Sequence, residues 1–145
     1  MIVLYIILLI IDLYIIMNLK EPSTFTNVKE KYSAFRKYIE NSDDIETHFK
    51  PLKNQILLTG FLKSNDELGF NINKGSEIGL CLAGSSNEVF HVLIHELAHT
   101  VSSKYAHDDE FWTNVDKIKQ MCTKQGLYYP INNKTRFCGG HIQDP

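Results

Sequence analysis

No run of basic residues and no surplus of positive charge appears in this chain: 15 Lys and Arg stand against 17 Asp and Glu, a formal net charge of −2. A surface built for phosphate needs dense cationic charge, so nucleic acid is not expected as a partner. Cysteine is scarce as well. Cys81, Cys122 and Cys138 are odd in number and show no C-x-x-C spacing, which argues against a disulfide framework and for free thiols in a reducing compartment. Internal repeats and low-complexity segments are missing. With 145 residues, 43% of them hydrophobic, the chain is long enough for one real core and too short for two.

Part of that apolar content lies outside any core. Met1 to Met17 is continuous hydrocarbon apart from Asp12 and two Tyr. As a helix it would cover about 25 Å, near the roughly 30 Å of a bilayer interior. It lacks a positive leading segment and a small-residue cleavage site, so an uncleaved anchor over residues 1–19 is expected rather than a removed signal. Asp12 would cost about 2.5–3.5 kcal/mol at mid-membrane, which implies protonation or a partner helix near it. Lys20, Lys29, Lys31, Arg36 and Lys37 all follow the apolar run. By the positive-inside rule, a single-pass protein of this kind keeps its domain, residues 20–145, in the cytosol or inside a particle whose membrane came from there.

The chemistry is concentrated in His91-Val-Leu-Ile-His95-Glu96-Leu-Ala-His99, followed by His107-Asp108-Asp-Glu-Phe-Trp112. Residues four apart on a helix share a face, so His95 and His99 can hold one metal ion while Glu96 stands at its edge. Catalytic zinc takes three protein ligands and leaves a position for water, and a carboxylate beside that water can act as general base. Ser85 with Glu88 reads as a capping box at the helix start. Val89, Phe90, Val92, Leu93, Ile94, Leu97, Ala98 and Val101 make most of this helix apolar. A buried helix that carries imidazoles and a carboxylate needs partners for them, and a metal is one.

His107, His91 and His141 compete for the third ligand position. His107 is preferred, because it follows a short connection that lets the chain turn back. His91 lies on the same helix, where a drift of roughly 40° per four residues spoils tetrahedral geometry, and it is expected beside the site instead. Tyr105, Tyr128 and Tyr129 are candidate donors to an oxyanion, and Asp108 is a candidate neighbour of the ligands.

These residues resemble the WLM and SprT-like group of small zincin-type metallopeptidases. His95-Glu-Leu-Ala-His99 and His107-Asp-Asp-Glu-Phe-Trp112 carry the likeness. Ile78 to Leu82, Gly126 to Tyr128 and Phe137 to Pro145 add a likeness to WLM-like proteins encoded by large DNA viruses. The connection before His107 is longer than in the DNA-directed members, and Ala106 stands where Gly is usual. The resemblance implies an α+β zincin-like domain with an active-site helix, a small sheet and flanking helices, in which an edge strand pairs with extended substrate. It also implies Zn²⁺ on His95, His99 and His107, with Glu96 as catalytic base acting on a protein or peptide. The alternative is a non-catalytic assembly protein that keeps the fold.

Elsewhere, Asn27 with Glu30 suggests a cap for an amphipathic helix through Val28, Tyr32, Phe35 and Ile39 to about Glu40. Gln55 to Leu62 reads equally as strand or short helix. Lys63 to Asp66 reads as a turn. Asn73-Lys-Gly75 between two apolar runs predicts a hairpin. A helix after His107 should stop at Gly126, its Phe111 and Trp112 facing the core. The tail from Tyr129 to His141 reads as loop.

Overall fold

The computed structural model describes residues 1–62 and 67–145, so the turn expected at 63–66 lies outside the described residues. Two helices come first, α1 over Ile2–Asn18 and α2 over Ser23–Asn41. A 3-10 helix, Thr47–Lys53, leads into strands β1 (Leu57–Phe61), β2 (Gly69–Ile72) and β3 (Glu77–Cys81). Helices α3 (Ser86–Val101) and α4 (Asp109–Lys124) follow, and a small ribbon of β4 (Thr135–Phe137) and β5 (Gly140–Ile142) ends the chain. The expected α+β class is observed.

Helix α2 buries Phe25, Val28, Tyr32, Phe35 and Ile39, the stripe its periodicity predicts. It begins four residues earlier than the expected Asn27 cap. Pro22 supplies the turn into the helix, and Glu21 accepts hydrogen bonds from Thr26 Oγ1 and Lys29 Nζ. Tyr32 ties this helix to the sheet: its hydroxyl accepts from Ile56 N at 3.0 Å and donates to Asn54 O at 3.3 Å.

The apolar run at 55–62 resolves as strand. β1 pairs in parallel with β3, and β2 pairs antiparallel on its other side, in the order β1-β3-β2. Central β3 is therefore the most buried strand, with Ile78 and Leu80 fully enclosed. The expected hairpin is present, and Asn73, Lys74 and Gly75 all have positive φ (48°, 52° and 107°). Asn71 Oδ1 closes the turn by accepting from Gly75 N at 2.8 Å.

Helix α3 lies across this sheet and is the centre of the core, with Val89, Phe90, Leu93, Ile94, Leu97 and Ala98 fully buried. The capping box is formed: Ser85 Oγ accepts from Glu88 N at 3.3 Å and Ser85 N donates to Glu88 Oε2 at 2.7 Å. Helix α4 packs against α3, and Gly126, with φ 69°, ends it where a C-terminal glycine was expected.

Two expectations are corrected. Cys81 and Cys138 are joined in a disulfide, with Cα atoms 6.4 Å apart, and only Cys122 is free and buried. Spacing could not reveal the pair, because β3 and the β4–β5 turn meet only in the folded chain. The tail is not a plain loop, since Thr135–Phe137 and Gly140–Ile142 pair antiparallel. The anchor expected over residues 1–19 gains no support from length, since no single described helix is long and apolar enough to cross a membrane. Helix α1 has 17 residues, none of them buried, and passes that test only together with α2, from which it is bent by 56°.

Candidate metal centre

The connection after α3 determines where His107 goes. Helix α3 ends at Ser102, whose backbone turns extended (φ −80°, ψ 147°). Ser102 Oγ donates back to Ala98 O at 2.7 Å and accepts from the buried Asn114 Nδ2 at 3.0 Å. Ser103 N donates to Glu110 Oε1 at 2.9 Å, and Lys74 Nζ reaches the carbonyls of Ser102 and Ser103, each at 2.8 Å. Asp108 is occupied as the cap of α4, accepting from Phe111 N at 3.1 Å. The loop is thus pinned on both sides, and His107 is turned back over α3.

The three expected imidazoles converge. Ring centroids of His95 and His99 lie 5.0 Å apart, and His107 lies 4.9 Å from each. One nitrogen from each ring falls within 4.8 Å of the other two. Phe111 forms an apolar floor, its centroid 4.8, 4.4 and 4.6 Å from His95, His99 and His107.

The donor set fits a zinc-type cation. His99 Nε2 and His107 Nε2 face one another at 3.0 Å. Tetrahedral bonds of about 2.1 Å would hold two such nitrogens about 3.4 Å apart, so this pair would open slightly, and any pair near the 4.8 Å limit would close in. His99 Nδ1 is buried and has no partner among the described residues, so the protein leaves both nitrogens of that ring without a carbonyl or carboxylate. Burial, reinforced by the neighbouring imidazoles, draws His95 down to about 3 and also lowers His99. Both rings are therefore neutral at physiological pH, the form that ligates metal.

Glu96 lies beside them and is 6% exposed. Burial alone pushes its carboxyl up to about 7. Room for it comes from Gly69 on β2: a Cβ there would meet Val92 Cγ1 at 2.6 Å, Gly79 O at 2.9 Å and Glu96 Oε1 at 3.3 Å. Asn71 fixes the same strand to the helix, donating from Nδ2 to Glu96 O at 2.7 Å and to Thr100 Oγ1 at 2.9 Å.

The remaining candidates divide. Tyr105 is exposed at the rim, lining a depression shared with Glu96, His99 and His107. Tyr128 is fully buried; its hydroxyl donates to Asp144 Oδ2 and is joined to His91 Nδ1 at 2.8 Å, so its proton is already committed. Tyr129 is exposed and held through its backbone by Asn87. His91 lies beside the site without joining the triad. His141 is exposed on β5 at the edge of a second depression, and Cys138 is taken up by its disulfide.

Two contributors escaped the sequence. Trp112 was assigned to the core with Phe111, yet it is 48% exposed and lines the cleft. The stripe Phe111, Val115, Ile118 and Cys122 keeps helical period and leaves Trp112 outside it, and that was the available signal. Asp144 gathers Tyr128, Ile131 N and Lys119 around one carboxylate and lies 3.5 Å from His91 Nδ1, a role no local pattern announces.

A family model, the WLM domain, matches residues 49–142. A search of curated proteins returns no match. Among solved structures, Wss1 from Saccharomyces cerevisiae superposes with a TM-score of 0.50 at 20% identity, covering 73% of this chain and 86% of that one. A Wss1 mutant from the same yeast gives a TM-score of 0.52 at 20% identity, covering 76% and 90%. At that identity the likeness concerns the fold, and the family-model match supplies the membership: the chain belongs to the WLM family of metal-dependent, protease-like domains.

Proposed function

We propose that this protein is a zinc metallopeptidase that hydrolyses peptide bonds in protein substrates. The observation that carries the reading is the convergence of His95, His99 and His107 on one point with Glu96 beside it. His95, His99 and His107 would hold the ion, and zinc bound there would supply Lewis acidity toward a carbonyl and lower the pKa of water.

Glu96 takes the proton from the attacking water and passes it to the leaving amine. Its buried position favours that exchange near neutral pH, and cationic charge nearby would bring it back to the carboxylate form that accepts a proton. Gly69 and Asn71 keep β2 close to Glu96, so the carboxylate has one place to be. As an edge strand beside the site, β2 can pair with an extended peptide and orient its carbonyl. Tyr105, at the rim, is the candidate donor to charge developing on that carbonyl oxygen.

Helix α1 is proposed as the membrane attachment, since all of its apolar side chains are exposed and none packs on the domain. The basic residues after it favour the cytosolic face or a particle interior. The Cys81–Cys138 bridge is the chemistry of an oxidising space, which counts against open cytosol.

Metal analysis of the full chain, with cleavage of a peptide library in the presence and absence of chelator, tests the reading. The expected result is close to one zinc per chain and chelator-sensitive cleavage. Glu96→Gln should retain the metal and lose about 10²–10⁴-fold in turnover. Undiminished turnover by that variant would refute the assignment.

A further inference from the structure

Two depressions meet at the triad, sharing Gly69, His95 and Glu96. The smaller, about 310 Å³, opens toward Asn71, Tyr105 and His107. The larger, about 360 Å³, runs the other way between α3, α4 and β5. A peptide laid along both would place its scissile bond near their junction.

The larger depression is lined mainly by hydrocarbon, from Leu68, Val92, Trp112, Val115 and Ile142. Apart from Glu96, at the end shared with the triad, its charges are largely neutralised within the wall or screened at the mouth. Lys119 is paired with Asp144, and both side chains are mostly buried at 14% and 9% exposure. Asp116 lies exposed at the mouth, where solvent screens it. Tyr128 spends its only proton on Asp144, so its oxygen accepts from His91 Nδ1–H and the other His91 nitrogen is an uncharged acceptor. The volume lies at the small end of ligand pockets, suited to one large side chain rather than a length of chain. Trp112, half exposed and with its ring centroid 6.1 Å from that of His95, forms a wall close to the catalytic groups.

We propose, building on the peptidase reading, that this depression receives a large uncharged side chain, of the Phe or Leu class, from the substrate residue next to the cleaved bond. Trp112 is its specificity-determining residue. Exposed indole is otherwise a poor use of helix surface, and here it offers flat apolar area at the place where the chain must be gripped.

Trp112 is the only tryptophan, so its emission reports the pocket directly. The full chain carrying Glu96→Gln, zinc-loaded in detergent, is titrated with acetyl-Ala-Ala-X-Ala-Ala-amide peptides in which X is Phe, Leu, Ala, Asp or Lys. The Phe and Leu peptides should reach half-saturation at concentrations at least about tenfold below the Ala peptide, with Asp and Lys no tighter than Ala. Equal midpoints for Phe and Ala, or tightest binding of a charged peptide, overturn the proposal. Cleavage of the same peptides by the unsubstituted chain separates the two levels. Cleavage indifferent to X removes the pocket and leaves the peptidase, while discrimination in emission without any cleavage removes the peptidase and leaves the pocket. Trp112→Ala, at a position exposed enough to keep the fold, should shrink the Phe-to-Ala ratio of kcat/KM about fivefold or more, and an unchanged ratio denies Trp112 the role.

Discussion

At Gly69 a single missing side chain makes room for the Glu96 carboxylate. Any Cβ there runs into Val92, the carbonyl of Gly79 and Glu96. Gly69→Ala should therefore cost about 1–3 kcal/mol, read as a lower melting midpoint, and reduce cleavage further by displacing Glu96. A native-like melt with full turnover would show that β2 has more slack than its contacts allow. His91 gives the residue-scale pH effect. Burial, with help from Lys119 and against the pull of Asp144, draws it from the usual 6.5 to about 4. The unfolded chain then binds a proton between those values that the folded chain refuses. Stability is thus complete above pH 6.5 and falls on acidification toward pH 4, by about 2–3 kcal/mol. The difference between wild type and His91→Gln in denaturant melts at pH 7, 5.5 and 4.5 isolates this share. The groups facing His91 are Tyr128, Asp144 and Lys119, and a slope unaltered by the substitution would assign the acid sensitivity elsewhere.

The elements differ in how plainly the sequence announced them. Helix α3 was legible because its start, apolar content and ligand spacing all agree, and the β2–β3 hairpin because Asn73-Lys-Gly75 permits the positive φ values the turn needs. Ser85→Ala should remove the cap and lower stability by about 1 kcal/mol in a thermal melt. Zinc stoichiometry should be unchanged, since His95 lies almost three turns further on. A drop in bound metal would mean that fraying reaches the ligands. Less could be read where local signals are weak. β1 was ambiguous because an apolar run of strand length has no period of its own, and its parallel pairing with β3 depends on a crossover. The three-residue strands β4 and β5 are too short for any alternation to register. His107 could be chosen over His91 by geometry, but the Asn114, Glu110 and Lys74 bonds that hold its loop appear only in three dimensions.

Across the whole molecule, the Cys81–Cys138 bridge joins the central strand to the ribbon whose far side lines the cleft. It spans a separation of 57 residues, for which chain entropy gives about 4 kcal/mol of stabilisation. Cys138→Ser, or reduction of the native chain, should lower the unfolding free energy by about that amount. Thiol counting on the unfolded, unreduced protein should find one reactive group, and three would return the cysteines to the reduced state expected from composition. The linker adds a restriction of another kind. Between the last residue of α1 and the first of α2 lie only residues 19–22, which reach at most about 14 Å when stretched. If α1 is embedded in lipid, as proposed, the cleft could sweep only a thin shell above the headgroups. Proximity to that shell would then select substrates before any side chain is read, and a freely diffusing protein with an ideal cleavage sequence would seldom come within range.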